Sequence, residues 1–411
     1  MTEQTNVVPK RRFKEFQNTY AWEKRKLGTV AEFNPKAELP ETFEYVDLES
    51  VVGTEMIAHR EERKATAPSR AQRLARQGDL FYQTVRPYQK NNHLFEKPCN
   101  NYVFSTGYAQ MRPYGDGYFL LSLVQNEQFV STVLDRCTGT SYPAINSNDL
   151  ADMEVSVPVE GDEQVQIGKF FKCIDNLITL HQRKLEKMKS LKSAYLSEMF
   201  PAEGEREPKR RFAGFTQAWE QRKFEGIFDR VKSYALSRNV ETSENTGIKY
   251  VHYGDIHTKV ADKVSNTSKI PSIKQGKYEF LNKGDLILAD ASEDYQGIAT
   301  PAVIVEDTEF NVVAGLHTIA LRPKNMNPLF LYYLIQSPIF RKYGYKVGSG
   351  MKVFGISVSN VLNFETFFPS IEEQIKIGNF LRSVDDTIAL HQRKLEKLQN
   401  IKKAYLHEMF V

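Results

Sequence analysis

Leu180-His-Gln-Arg-Lys-Leu-Glu-Lys187 returns letter for letter as Leu390-His-Gln-Arg-Lys-Leu-Glu-Lys397. Working outward from this octapeptide, Asp162–Phe200 aligns with Glu372–Phe410 without a gap at an offset of 210, and 22 of the 39 positions are identical. A match of that length means an internal duplication. Shorter matches open each half: Pro9-Lys-Arg-Arg-Phe13 returns as Pro208-Lys-Arg-Arg-Phe212, and Ala21-Trp22-Glu23 with Arg25-Lys26 returns as Ala218-Trp219-Glu220 with Arg222-Lys223. The only two tryptophans therefore occupy matched places. Between the shared segments lie two blocks, roughly 30–160 and 228–370, with almost no continuous sequence in common.

The shared segments predict long helices. Ile174, Ile178, His181, Leu185, Met188, Leu191, Tyr195 and Met199 follow one another in steps of three or four, as do Val384, Ile388, His391, Leu395, Leu398, Ile401, Tyr405 and Met409. Neither run contains Pro or Gly, and the opposite face is polar, which is the pattern of an amphipathic helix. Pro158 followed by Asp162-Glu163-Gln164, and Pro369-Ser370 followed by Glu372-Glu373-Gln374, supply the starts, with acids placed to suit the helix dipole. The first helix should stop near Pro201, and Gly168 and Gly378 mark a kink or a close packing contact. A stripe near 3.5 residues per turn in two related helices predicts that they pack on each other as an antiparallel coiled coil. The variable blocks would then lie at opposite ends about a pseudo-two-fold axis. Ile174 to Met199 spans roughly 38 Å at about 1.5 Å per residue, close to the ~34 Å turn of B-DNA, so the pair reads as a ruler. His181 and His391 are read as register-setting seam residues, not as ligands or bases.

At 411 residues the chain exceeds what one core serves. The repeat divides it into a domain at 1–160, a helical spacer at 161–207, a second domain at 208–370 and a second spacer at 371–411. A hydrophobic content of 41% with 26% charged residues describes a folded globular protein. The net charge of +4 is mild, so local runs carry more weight: Lys10 to Lys26 holds seven cations against two Glu, and Arg60 to Arg76 holds Arg60, Arg63, Lys64, Arg70, Arg73 and Arg76. Both read as phosphate-facing. Cys99, Cys137 and Cys173 have no metal-ligand spacing and cannot all pair, which suits a reducing compartment. No apolar run approaches a membrane span, and the segment after Met1 lacks a signal-peptide core, so a bacterial cytoplasmic location without membrane contact is expected.

Short β-type segments appear at Tyr102–Phe104, Tyr118–Val124, Glu154–Val157, Asp285–Leu288 and Ala302–Val305, with helical patterns at Asn126–Asp135 and Pro328–Gln336. The fold class is α+β: two mixed α/β domains separated by the paired helices. Gly78-Asp-Leu-Phe81 against Gly284-Asp-Leu-Ile287 suggests one fold in both blocks. There is no Walker A loop, dinucleotide fingerprint, amino-methyltransferase Asn/Asp-Pro-Pro-Tyr, His-Glu-x-x-His or Gly-x-Ser-x-Gly. Asp285, Asp290, Glu293 and Asp294 are read as a solvated acidic loop without counterpart in the first half, and no catalytic or metal site is assigned. Binding groups are easier to find. Arg70, Arg73 and Arg76, then Arg86, Tyr88, Gln89 and Lys90, mix cations with amide and aromatic groups. The second block offers His257, Lys259, Lys269, Lys274, Ser292, Tyr295, Gln296 and the loop Gly348-Ser-Gly-Met351-Lys352. Arg reads guanine, Asn and Gln read adenine, and Lys holds phosphate.

The whole pattern resembles the specificity subunit of bacterial type I restriction-modification enzymes. The resemblance rests on Asp162-Glu-Gln164 and Glu372-Glu-Gln374, the helix ends Ala-Tyr-Leu-x-Glu-Met-Phe at 194–200 and 404–410, the Ala-Trp-Glu-x-Arg-Lys starts, and Ser69-Arg-Ala71 with Gly78-Asp-Leu80 and Thr84-Val-Arg-Pro87. It implies a non-catalytic reader of double-stranded DNA. Each target recognition domain would read one half of a split asymmetric site, while the helices set the gap and dock two methyltransferase subunits. S-adenosylmethionine, ATP and Mg would act in partner modification and restriction subunits, not in this chain. Ser69-Arg-Ala71 has no clean equivalent in the second half. Two other readings are a coiled-coil scaffold that binds proteins and a stand-alone DNA-processing enzyme with duplicated domains.

Overall fold

The computed structural model describes residues 7–139, 141–350 and 352–411, so Met351 of the expected binding loop lies outside the described residues. The chain forms two compact units, one of residues up to Gln182 together with Arg393–Val411, the other Arg183–Gln392. Both boundaries cut the repeated octapeptide, after Gln182 and after Gln392. Each long helix, Gly161–Glu198 and Ile371–Met409, thus begins in one unit and ends in the other.

In the first unit one four-stranded sheet runs Arg60–Arg63, Thr42–Val46, Tyr102–Ser105, Ala71–Leu74, and a second runs Ala31–Phe33, Tyr108–Pro113, Leu80–Gln83, His93–Leu94. The second unit repeats the plan. Phe228–Val231, Thr318–Pro323 and Leu286–Ala289 adjoin in one sheet, and Ile248–Val251 beside Asn311–Ala314 forms the same parallel pair as Thr42–Val46 beside Tyr102–Ser105. Central strands such as Leu80–Gln83 and Leu286–Ala289 are buried at every position, which is why they read as apolar runs instead of alternating. The edge strand Glu23–Lys26 pairs with Glu154–Val157, and Glu220–Lys223 pairs with Glu365–Phe368.

The stretch Tyr118–Val124, expected as a strand, is a helix, Gly117–Gln125. Asp116 caps it by accepting from the Phe119 N–H at 2.8 Å, and a short apolar run buried on all sides carries no period that separates helix from strand. Pro328–Gln336 is its counterpart, capped by Asn327 through the Phe330 N–H at 2.9 Å. These caps explain the glycines inside the long helices. A Cβ on Gly168 would collide with the Asp116 carboxylate and lie 3.0 Å from the Phe119 nitrogen; one on Gly378 would lie 2.9 Å from both Asn327 Oδ1 and the Phe330 nitrogen. Both glycines are sites of close packing, one under each capped helix.

The Gly-Asp-Leu similarity is a structural device. Gly78 and Gly284 adopt φ of +93° and +92°, a left-handed turn that favours glycine. Asp79 takes a bidentate pair from Arg112 at 2.8 and 3.0 Å, and Asp285 takes one from Arg322 at 2.9 and 2.7 Å. Asp285 is therefore a buried counterpart of Asp79, which corrects the reading of a solvated, unmatched acid; the partner arginines stand 33 and 37 residues away.

Within the basic run Lys10–Lys26, Arg12 turns inward while the other six cations stay exposed. Arg12 grips the fully buried Glu163 through two 2.6 Å hydrogen bonds, and Trp22 Nε1 donates to the same carboxylate at 3.2 Å. Arg11 pairs with Glu408 and Lys26 with Asp152. Arg211 holds Glu373 in the second unit as Arg12 holds Glu163. In the matched openings of the two halves, Arg12 and Arg211 are clamps on the first turn of each long helix.

The helix stripe is legible in the burial. Ile174, Leu185, Val384 and Leu395 are buried, and Ile178, His181, Met188, Ile388, His391 and Leu398 are half-buried. Within the first unit the start of one helix meets the end of the other antiparallel: Phe170 lies 4.9 Å from Tyr405, Phe171 lies 5.8 Å from Phe410, and Lys402 pairs with Asp175 at 2.6 Å. Within the second unit Tyr195 lies 4.8 Å from Phe380, and Lys192 pairs with Asp385 at 2.7 Å. Tyr118 donates to Asp175, and Tyr333 and Lys263 donate to Asp385, so each acid also ties its α/β domain to the helices. Burial alone would raise the Asp385 pKa, but the charges of Lys192 and Lys263 outweigh it and hold the carboxyl below its ordinary 3.8. A carboxyl depressed on folding stabilises above its unfolded pKa and loses that contribution as pH falls through the folded value. Asp385→Asn is expected to cost about 2–3 kcal/mol at pH 7, less than a fully buried pair because the lysines stay partly solvated. In urea titrations the gap between variant and wild type should close as the pH is lowered below 3.8; a gap that persists at pH 2 would contradict the ion-pair account.

Candidate nucleic-acid interface

In the first unit the turn joining Tyr102–Ser105 to Tyr108–Pro113 gathers several of the expected residues. The Arg70 carbonyl accepts from the Thr106 N–H at 2.8 Å, which sets the exposed Arg70 at the turn. The Thr84 N–H donates to the Gly107 carbonyl at 2.9 Å, which brings the end of Leu80–Gln83 to the same place. Arg86 follows, left-handed at φ +54°, its guanidinium over the Tyr142 ring at 4.3 Å. Tyr88, half exposed, lies on the next turn. Cations and flat rings with free faces at one edge can meet phosphates and base edges.

The rest of that set is dispersed. Arg73 sits within Ala71–Leu74, its Nε buried without a hydrogen bond, and burial lowers its pKa. Arg76 is exposed beyond the other end of that strand, its backbone N–H given to Asp79 at 2.8 Å. Gln89 accepts from Gln83, and Lys90 donates to the Gln125 carbonyl and pairs with Glu127 at 2.8 Å. Gln89 and Lys90 line a groove of about 640 Å³ that also includes Asn126, Ile178, Lys402 and Lys403.

The second unit builds the same edge with different side chains. The Asp290 N–H donates to the His317 carbonyl at 3.0 Å, matching Thr84 and Gly107, and the Ile356 N–H donates to the Asp290 carbonyl at 2.9 Å, matching Ile145 and Thr84 at 3.0 Å. Ala291–Ser292 pairs with Phe354–Gly355, as Val85 bridges Ala144. Around this frame His257 bonds the Ala291 carbonyl at 2.9 Å, the exposed Tyr295 ring lies 3.9 Å from Phe354, and Lys352 is exposed just before it. Ser292 is buried and Gln296 exposed. Tyr253 packs 5.9 Å from His257 and 5.3 Å from His317. Burial lowers the His252 pKa, assisted by Arg238, so this histidine is held neutral. Lys259 and Gln296 line a groove of about 720 Å³ with Lys192, Lys263 and Asp385. Lys269 and Lys274 are exposed on either side of Ser272–Ile273, in the other sheet.

The sequence reading missed Tyr142, Tyr253 and His317, and it set Asp290 aside. The available signal was register: once Gly78-Asp-Leu is aligned with Gly284-Asp-Leu, Thr84 falls on Asp290. Among the described residues no group of His, Cys, Asp and Glu could hold a metal ion, and no helix is long and apolar enough to cross a membrane.

The family model described as type I restriction modification DNA specificity domain matches twice, at residues 21–190 and 216–400. The MjaVIII type I restriction enzyme specificity subunit of Methanocaldococcus jannaschii is 24% identical over 304 residues, which cover 71% of this chain and 68% of that protein. The crystal structure of the type I restriction-modification system S subunit from M. genitalium covers 98% of this chain and 99% of its own, with a TM-score of 0.64 at 14% identity. A chain from a structure described as the basis of complex assembly and conformational transition of the type I R-M system gives 0.51 at 21% identity, covering 94% and 96%. The two structures share the fold. With a domain match in each half and most of its length covered, the chain belongs to the type I restriction-modification DNA specificity family and carries two DNA-recognition domains.

Proposed function

We propose that this protein directs a type I restriction-modification complex to a split, asymmetric site on double-stranded DNA, each unit reading one half. The observation that carries the proposal is one backbone frame presenting two different sets of side chains: Arg70, Arg86 and Tyr88 at one edge, His257, Tyr295, Gln296 and Lys352 at the other. A shared frame with unlike surfaces suits two unlike half-sites. Arg73, with a buried unpaired Nε, would gain a partner on binding an acceptor. The chain makes and breaks no bonds itself. Two adenine methyltransferase subunits dock on the near-identical helix segments and bring S-adenosylmethionine, restriction subunits bring ATP and Mg, and the assembly works in the bacterial cytoplasm. The alternative readings, a protein scaffold or a duplicated enzyme, draw no support from the comparisons.

The helices set the spacing between half-sites. Four residues inserted after Arg183 and four after Arg393 lengthen each helix by about 6 Å. The tolerated gap is expected to grow by one or two base pairs, at about 3.4 Å each, while both half-site sequences stay the same. Selection from duplexes with variable gaps reads the change, and an unaltered gap would refute the spacer role.

A further inference from the structure

We propose that His317 is a base-reading residue of the second recognition domain, held by Asp290 so that its Nε2 faces a donor group on the edge of a DNA base. The inference rests on the DNA-reading function above and names a residue that the sequence did not single out.

Three observations lead there. First, the backbone bonds Asp290 N–H to His317 carbonyl and Thr84 N–H to Gly107 carbonyl are the same bond in the two units, 3.0 and 2.9 Å long. The frame therefore needs no side chain at this position, since Gly107 has none. Second, His317 adopts φ +56°, a conformation that costs free energy for any residue with a Cβ. Gly107 does not share this conformation, and the turn at 315–317 is one residue longer than that at 106–107, so the left-handed residue is a feature of the second unit alone. Third, the ring is oriented. His317 Nδ1 lies 3.1 Å from Asp290 Oδ1, and Tyr253 packs against the ring edge at 5.3 Å, while about half the imidazole stays in solvent.

The chemistry follows from this pairing. An ionised carboxylate only accepts, so in the uncharged form of the ring Nδ1 donates to Asp290 and Nε2 is left as an acceptor. Among the described residues Nε2 has no hydrogen-bond partner. An acceptor there matches the major-groove amino groups of adenine N6 and cytosine N4 and is opposed by the acceptors that guanine and thymine present. The second half-site should then contain, at one position, a base that is A or C on the strand facing His317.

The test is selection from randomised duplexes by the full chain, alone and with type I modification subunits. His317→Gly is the informative variant, because glycine relieves the left-handed strain and copies the residue of the other unit. Wild type is expected to enrich A or C about five- to tenfold at one position, and His317→Gly to lose that preference while keeping every other position of both half-sites. Asp290→Asn can donate to Nδ1 and move the proton to Nε2, so the preference should pass to G or T. A His317→Gly protein that selects the same bases at every position, or that weakens on all sequences equally, overturns the proposal and leaves the DNA-reading function standing. A wild-type chain that enriches no sequence in either preparation overturns that function as well.

Discussion

Replacing Arg12 with alanine is expected to lower the unfolding free energy of its unit by about 3–5 kcal/mol, the cost of leaving a buried charge without its partner. Glu163 is fully buried, and Arg12 offers both Nε and Nη2 to it at 2.6 Å while Nη2 also reaches Thr19 Oγ1 and the Tyr20 carbonyl. The hydrogen bonds to Glu163 raise the Arg12 pKa, so the guanidinium keeps its charge. Arg12→Lys should recover little, because an ammonium cannot make the bidentate contact. Trp22 donates to the same carboxylate, so in a Trp219→Phe background its fluorescence reports on this unit. Arg211→Ala should cost less in the second unit. Arg211 is 14% exposed against 5% for Arg12, and Trp219 Nε1 makes no bond to Glu373. Equal urea midpoints for Arg12→Ala and wild type would show that the clamp contributes nothing.

Gly168→Ala is expected to destabilise by about 1–3 kcal/mol, the reverse of what helix propensity predicts. A solvent-facing helical glycine gains about 1 kcal/mol on becoming alanine. Here the added methyl displaces the Asp116 cap, worth about 1 kcal/mol, and forces the helix start at Phe119 away from the long helix, a further ~1–3 kcal/mol of overpacking. Gly378→Ala should cost less, because its methyl would meet Asn327 and Phe330 near 2.9 Å without overlapping the cap as deeply. Thermal unfolding of both variants gives the order directly. An alanine that raises the melting temperature at Gly168 would mean the helix–cap contact is not close.

These effects arise where sequence reading was least complete. The long helices, their starts and the stripe through Ile174, Leu185, Val384 and Leu395 were legible because a helical period repeats along the chain itself. Pro328–Gln336 and Glu154–Val157 were found at their exact bounds, whereas Tyr118–Val124 was assigned to the wrong class, because burial on all sides removes the period that identifies a helix. The arginine cluster Arg70, Arg73 and Arg76 is one patch in sequence and three environments in space: beside a turn, inside a sheet, and beyond its far end. Alternation along a strand sends neighbouring side chains to different faces, so proximity in sequence did not mean a shared surface.

The sequence by itself determined the duplication, the paired helices and the two-domain plan, since identity at a constant offset and a 3.6-residue period are properties of a line. Only the tertiary structure decided which charges do structural work and which face outward. Whether Asp285 is solvated depends on Arg322, and whether Arg12 meets a phosphate depends on Glu163, 151 residues away. The recognition edges were decided in the same way. Thr84, Gly107 and Ile145, like Asp290, His317 and Ile356, meet through backbone hydrogen bonds between distant segments, and such bonds leave no mark on the identities of the residues they join.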